Sequence, residues 1–515
     1  MGLKPTIIRR VAGLTAAALL GTFTLAAPAL AGPLPDPAQT GNLYITKLET
    51  PTGAAGDGTQ LTTPLPNAPI PGVEFTVKKV KNIDLTTQAG WTAASALGAA
   101  FVTAAPTSVA DAETAITSAP GSYTLDTAVV KTTGGNGLAD FTGLPLGVYL
   151  VEETATPAGV TSASPFLVTL PMTDPDPANG GAWLYDVYVY PKDATTNLTK
   201  TVADAAAAKL GDTVTYTITG AIPDSQDGSA SPLTGYLITD TLAKELTYGL
   251  ATVSVPGATL ASTDYTITPT ANADGTTTVD VRFTATGLAI LGANRGGTVT
   301  VTITAAANAI GEVANTAYLY PDGPSVATYD AGVLPTDATN PYPPVASTPV
   351  ETKWGAITVE KLGTGGKTLQ NATFQVFTSA TDAEAGTNPV TIGGVSNWTT
   401  DATGKVTIAG LRYSDWADGA AVAPTDPGYI TYYLVETVAP AGYALQADPI
   451  AFTVDSDSTN AVHLQSVTDI PANTGFPLPF TGGTGVTIVY AAGLVILLAA
   501  LAIGVVVYRR RVAGN

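Results

Sequence analysis

Glu152 and Glu153, adjacent in "GVYLVEETATPAGV" (147–160), have the residue type of a glycosidase acid pair. Neighbouring side chains on a strand face opposite sides, so the two cannot converge on one bond. The acidic loops "DPDPANGG" (174–181) and "DSDS" (455–458) carry hard oxygen ligands of the kind calcium takes, but neither has EF-hand spacing. The expectation is no cofactor and no metal, with calcium as the one candidate. The chain has no cysteine, which removes disulfides, thiolate metal sites and cysteine nucleophiles together. One histidine, His463, and two methionines leave little to ligate zinc or haem. A secreted glycosidase or protease therefore lacks its machinery. A different kind of residue stands out in "WLYDVYVYPK" (183–192), an alternating strand that stops on Pro191 and Lys192 in a chain with only 22 basic residues.

The elements that must position these residues read as all-β. Runs such as "DTVTYTITG" (212–220), "GTVTVTITA" (297–305) and "AITVEKL" (356–362) alternate and are broken by Gly, Pro, Asp and Asn. Thr and Val fit a half-buried pleated surface, and several short strands per segment indicate sandwiches. The best helical candidates, "GWTAASALGAAFVTAA" (90–105) and "VADAETAIT" (109–117), read as an insertion. The 515 residues suffice for about three domains at roughly 150 residues each. An internal repeat sets their limits. "GNLYITKLE" (41–49) and "IPGVEFTVKKV" (70–80) parallel "GAITVEKLG" (355–363) and "LQNATFQVF" (369–377). "GVYLVEETATPAGV" (147–160) likewise parallels "TYYLVETVAPAGY" (431–443). The first domain is placed at 32–192, a differently built middle domain at 193–349 and the third at 350–475. The Pro-rich exit of the middle domain, residues 320–352, reads as a strap or linker. A net charge of −19 repels phosphate backbones, so nucleic acid is not an expected partner.

The two ends read as export and retention signals. Lys4, Arg9 and Arg10 precede an apolar run that closes on Ala29-Leu30-Ala31, the form of a signal peptide over 1–31. At the other end, 476–515, "LPFTG" (Leu478, Pro479, Phe480, Thr481, Gly482) precedes an apolar span at 486–508 and then Arg509-Arg510-Arg511. The span is long enough to cross a hydrocarbon core, and the arginines hold its end in the cytoplasm. Pentapeptide, span and basic tail in that order resemble the cell-wall sorting signal of Gram-positive surface proteins. That resemblance implies cleavage by a sortase between Thr481 and Gly482, with Thr481 kept as a thioester.

Trp183, Val187, Val189, Tyr190, Pro191 and Lys192 resemble the WxxxVxVYPK pilin motif of Gram-positive sortase-assembled shaft pilins at every fixed position. "YYLVETVAPAGY" (432–443) resembles their E-box, and "ITDTLAKELTY" (238–248) their middle domain. The resemblance covers essentially the whole chain and is to the three-domain actinobacterial type. It implies tandem immunoglobulin-like sandwiches of the CnaA and CnaB types, between an N-terminal signal helix and a C-terminal transmembrane helix. It also implies a non-enzymatic role: a major fimbrial subunit, secreted and wall-anchored, in which Lys192 attacks the Thr481 acyl intermediate of another copy. The implied partners are a pilus-specific class C sortase, the housekeeping sortase, peptidoglycan, further copies of the chain and a tip pilin. Adhesion and biofilm would follow, with a host or bacterial receptor that the sequence does not identify. The alternative is a wall-anchored adhesin or tip subunit that binds surface ligands, but such a subunit needs no acceptor lysine.

The family also joins lysine to asparagine inside its domains. A buried lysine loses its proton more readily, and a buried carboxyl beside it can relay protons while ammonia leaves. The resemblance assigns Lys200, Asn315 and Asp240 to such a bond in the middle domain, and Lys361, Asn473 and Glu436 to one in the third. In the first domain Lys47 and Glu153 align with Lys361 and Glu436, but the final strand offers no asparagine. An ion pair without a crosslink is expected there, and loss of two ammonia equivalents from the mature chain.

Overall fold

The structure, a computed structural model, describes residues 34–49, 56–61, 67–176, 182–224, 233–446, 448–456, 463–472 and 484–512. The expected signal peptide and the LPFTG motif lie outside the described residues. The chain divides into two compact units, one of residues up to Ala356 with Ala409–Ile430 and Thr453–Asn460, the other of Ile357–Ile408, Thr431–Phe452 and the residues from Ala461 onward.

In the first unit, the opening strand Thr40–Thr46 runs antiparallel to Leu138–Pro145 and parallel to the closing strand Asp186–Val189. Leu43 and Ile45 point inward and Lys47 continues their alternation as a fully buried side chain. The facing sheet has the order Val129–Thr132, Glu74–Lys79, Gly147–Ala155, Phe166–Leu170. Gly147–Ala155 is buried on both faces. Tyr149 and Val151 pack into the sandwich with Leu43 and Phe75, while Val148 and Leu150 pack under the helices Gln88–Ala104 and Val109–Thr117. These are the expected insertion. Thr87 and Ser108 cap them by accepting from the Gly90 and Asp111 amides. A Cβ on Gly90 would fall 1.8 Å from the Asp84 carbonyl oxygen, so only glycine lets the first helix start against that turn.

The same unit holds a second sandwich. One sheet has the order Leu198–Ala203, Thr213–Ala221, Thr298–Ala307, Leu246–Ser254; the other runs Tyr265–Ala271, Thr277–Phe283, Leu237–Leu242, Ala317–Tyr320, Val345–Ala346. Its core joins Val214, Tyr216, Ile218, Ile238, Val301 and Leu319. The Pro-rich exit is the expected strap and contains a helix, Gly323–Asp330, which the sequence reading did not foresee. Asp322 and Ser325 form a capping box at its start. The strap packs on the first sandwich: the Thr156 amide donates to the Pro341 carbonyl at 2.9 Å, and the Tyr342 hydroxyl donates to the Glu153 carbonyl at 2.7 Å.

Arg412, also in this unit, is fully buried and is held by carbonyls. Its Nε donates to Ala207 at 2.7 Å, one Nη to Gly428 at 2.7 Å and the other to Tyr413 at 3.1 Å and to Trp416. Arg412→Met would leave those oxygens dry and unpartnered, at about 1–3 kcal/mol for each group not rescued by water. The expected result is a lower urea midpoint at unchanged m-value, equivalent to about 4 kcal/mol.

In the second unit, Ile357–Leu362, the latter part of the strand Val350–Leu362, pairs in parallel with His463–Thr468. A facing sheet has the order Trp398–Thr399, Thr373–Phe377, Tyr432–Val438, Ile450–Phe452. The unit's last element is the helix Thr484–Val512, in which Tyr490–Arg509 is apolar enough to cross a membrane (mean hydropathy 2.7).

Candidate functional site

Three buried lysines each continue the inward alternation of a strand that opens a sandwich. Lys47 follows Leu43 and Ile45, Lys200 follows Leu198, and Lys361 follows Ile357 and Val359. Each Nζ also sits over an aromatic ring, 5.8 Å from Phe75, 4.8 Å from Tyr216 and 5.6 Å from Phe374. A cation placed this deep needs a partner, and each has a carboxylate.

In the middle domain, Lys200 Nζ donates to Asp240 Oδ2, with both side chains fully buried. Lys200 lies in one sheet and Asp240 in the other, so the contact crosses the core. Burial pulls the lysine below its ordinary proton affinity and pushes the aspartic acid above its own. Both shifts favour the uncharged pair, an amine beside a carboxylic acid. Asn315 ends the strand Gly311–Asn315, and the Asn315 carboxamide acts on Asp240 from nearby. Asp240 pairs in register with Ala317, two residues further along. Asn315 is 2% exposed, and neither its Nδ2 nor its Oδ1 has a hydrogen-bond partner among the described residues. A dry carboxamide whose polar neighbour is a lysine–acid pair is suited to an acceptor. The structure thus brings Lys200, Asp240 and Asn315 to one place.

Lys47 and Lys361 sit in matching surroundings. Phe75 pairs in register with Glu153 and Phe374 with Glu436, each just after a β-bulge. Lys47 Nζ donates to Glu153 Oε1, the ion pair expected for the first domain. Lys361 Nζ stands 2.9 Å from Glu436 Oε1. The second oxygen of each glutamate accepts a backbone amide ten residues on, Ala163 and Gln446 respectively, at 2.9 Å in both. Glu152 faces the other way and accepts from Lys78 at 2.8 Å on the helical side, so the adjacent glutamates do diverge. Asn473 lies outside the described residues. The lysine has instead a second carboxylate that sequence reasoning missed: Asp469 Oδ1 also accepts from Lys361 Nζ. Its signal was the alternation of "SVTDI" (466–470), which turns Asp469 inward with Val467.

The closing strand of the first domain is fixed along its length. Trp183 stacks on Trp91 at 4.9 Å, Val187 and Val189 are buried, and the Tyr190 hydroxyl accepts the Leu61 amide at 3.1 Å. Beyond Pro191, the backbone of Lys192 and Asp193 pairs in parallel with Leu48 and Glu49. The side chain of Lys192 lies outside the described residues, as does Thr481.

A family model described as Gram-positive pilin subunit D1, N-terminal domain, matches residues 39–194, and one described as a prealbumin-like fold domain matches residues 355–468. Fimbrial subunit type 1 of Actinomyces viscosus is 35% identical, the match covering 98% of each chain. Fimbrial subunit type 2 of Actinomyces naeslundii is 33% identical over 89% of this chain and 87% of that one. Among solved structures, the full-length major pilin SpaD of Corynebacterium diphtheriae superposes with a TM-score of 0.58 at 29% identity, over 85% of this chain and 99% of that chain.

Proposed function

The chain belongs to the Gram-positive fimbrial pilin family, and from that premise we propose that it is the shaft subunit of a covalent fimbria, joined head to tail through Lys192 and Thr481. The observation that carries the reading is the intact motif on the closing strand. Its aromatic and valine positions are anchored in the fold, and the backbone at Lys192 is held in place by pairing with Leu48. A sortase holding Thr481 as a thioester supplies the acyl group. The Lys192 amine attacks it, the amide forms and the enzyme's thiol leaves. A bond between unlike ends of identical subunits propagates as a filament and does not close. The apolar helix Thr484–Val512 serves as the tether that holds the substrate for the enzyme and is parted from the mature subunit by the cut after Thr481. The housekeeping sortase then fixes the base of the filament to peptidoglycan.

Within the subunit, Lys200 and Asn315 are joined by an amide with Asp240 as proton relay, and Lys361 forms the corresponding bond of the third domain beside Glu436. Each reaction runs once, so the chain is not an enzyme in the turnover sense. With no cysteine anywhere, such bonds do the work of disulfides without depending on redox state.

The test is an anti-subunit immunoblot of wall extracts boiled in detergent. A ladder at multiples of the subunit is expected. A single wall-linked band would overturn the shaft role in favour of the adhesin or tip reading.

A further inference from the structure

The fixed positions of the closing-strand motif ahead of Lys192 are engaged by the fold. Trp183 stacks on Trp91, Val187 and Val189 lie in the core, the Tyr190 hydroxyl accepts the Leu61 amide, and Pro191 is buried. They account for how the strand is held, not for what an enzyme meets on its surface. The positions between them face the other way: Asp186 is exposed and Tyr188 half-buried on the outer face of the sheet.

On that face three strands line up. Tyr44 of the opening strand is in register with Tyr188 on one side and with the exposed Asp140 on the other. The two tyrosine rings stack with centroids 4.8 Å apart and 20° between their planes. Asn42 and Asp186 form the next rung. Asn42 Nδ2 donates to Asp186 Oδ1 at 2.6 Å, and Asn42 Oδ1 accepts the Gly143 amide at 2.9 Å, which fixes the carboxylate beside the rings. Burial raises the proton affinity of the Tyr188 hydroxyl, and the Asp186 charge adds to the rise. The result is a shelf of two aromatic rings between two carboxylates. None of its three strands contains a lysine or an arginine.

We propose that this shelf is the surface on which the polymerising sortase docks its acceptor subunit, through basic side chains of the enzyme. The proposal rests on the shaft reading above and names the part of the subunit that the enzyme grips. Ring faces and carboxylates attract the same partner, a cation that can stack and donate hydrogen bonds. The shelf is also near enough to serve. Lys192 is four positions on from Tyr188, a span of at most about 14 Å. An enzyme covering roughly 800 Å² around Lys192 reaches about 16 Å from the centre of its footprint, so the shelf falls beneath it. The third domain, built on the same repeat, supplies the comparison. Counting back from Lys361 as from Lys47, Tyr44 corresponds to Thr358, which pairs with Leu464 and whose hydroxyl lies 3.3 Å from Thr407 Oγ1. The domain without the pilin motif thus has neither the stacked rings nor the carboxylate at these places.

Steady-state transfer tests this, with purified class C sortase, a saturating peptide carrying LPFTG as donor, and the secreted subunit ending at Thr481 as acceptor. Asp140→Lys is expected to raise the acceptor KM by about tenfold while kcat stays within about a factor of two. Its circular dichroism and thermal midpoint should match wild type, since the side chain is exposed. Tyr188→Ser, which removes the stack, should shift KM in the same direction. Added salt should raise the wild-type KM and leave that of Asp140→Lys nearly flat, because the attraction it screens is already gone. An unchanged KM in both variants, or a loss confined to kcat, overturns the proposal. So does normal transfer by the variants in solution with shortened ladders in cells, which would assign the shelf to contact between copies of the chain. A wild-type subunit that accepts no peptide at Lys192 refutes the shaft reading and the dock with it. Transfer to Lys192 that is indifferent to both variants refutes the dock alone.

Discussion

Lys192→Ala is expected to remove every high-mass band from wall extracts while secreted monomer accumulates. The effect is all or none, because an acyl-enzyme without its amine nucleophile passes only to water or to the wall. The first domain holds its closing strand through Val187, Val189, the Trp183–Trp91 stack and backbone pairing. Circular dichroism and the thermal midpoint of the purified variant should match wild type. Lys192→Arg separates charge from nucleophilicity, since a guanidinium stays protonated and cannot attack; it should behave as the alanine variant does. Ladders that persist in either variant would move the acceptor role to another lysine.

Asp240→Ala should cause the largest loss of stability. It removes the proton relay, so Lys200 and Asn315 remain unjoined and the mature chain retains one ammonia. The open bond forgoes about 5 kcal/mol of chain-entropy stabilisation, the figure for a closed loop near 100 residues. The uncompensated buried lysine adds a penalty of about 3–5 kcal/mol, typical of a broken buried pair. At roughly 2–4 °C per kcal/mol for a domain of this size, the calorimetric midpoint should fall by on the order of 20 °C. Scans must be compared at one heating rate, because unfolding of a crosslinked chain need not be reversible. Asp240→Asn keeps the shape but not the proton, so it too should leave the bond unmade, with a smaller fall. Retention of the crosslink in both variants would remove Asp240 from the chemistry.

Much of this was legible through the resemblance to shaft pilins, and the reactive lysines also break a pattern. A lysine where Val or Ile belongs, as at Lys200 between Leu198 and Val202, is an anomaly in an alternating strand. The repeat between 147–160 and 431–443 transferred the glutamate from one domain to the other, and register bears out that transfer at Phe75–Glu153 and Phe374–Glu436. Asp469 escaped because the resemblance points to an asparagine, and an aspartate two residues ahead of a proline reads as the start of a turn. The helices Ala285–Ala293 and Gly323–Asp330 escaped for another reason. They are too short for periodicity to register, and a cap of one or two polar side chains starts each of them.

The position of the pilin motif has a mechanical consequence. If neighbours are joined at Lys192 and Thr481, tension along the filament enters at one junction and leaves at the other. Everything before Lys192, the whole first sandwich and its helices, would fall outside the covalent path that carries the load. Its Lys47–Glu153 contact has only to resist unfolding, never extension. The other two sandwiches lie in series with the pull. There the proposed bonds made by Lys200 and Lys361 would act as shunts, carrying force past the folded sheets between them. The slack left to a stretched subunit would be the short leads at either end and the strap over 320–352, whose capped helix Gly323–Asp330 would be the first element to yield.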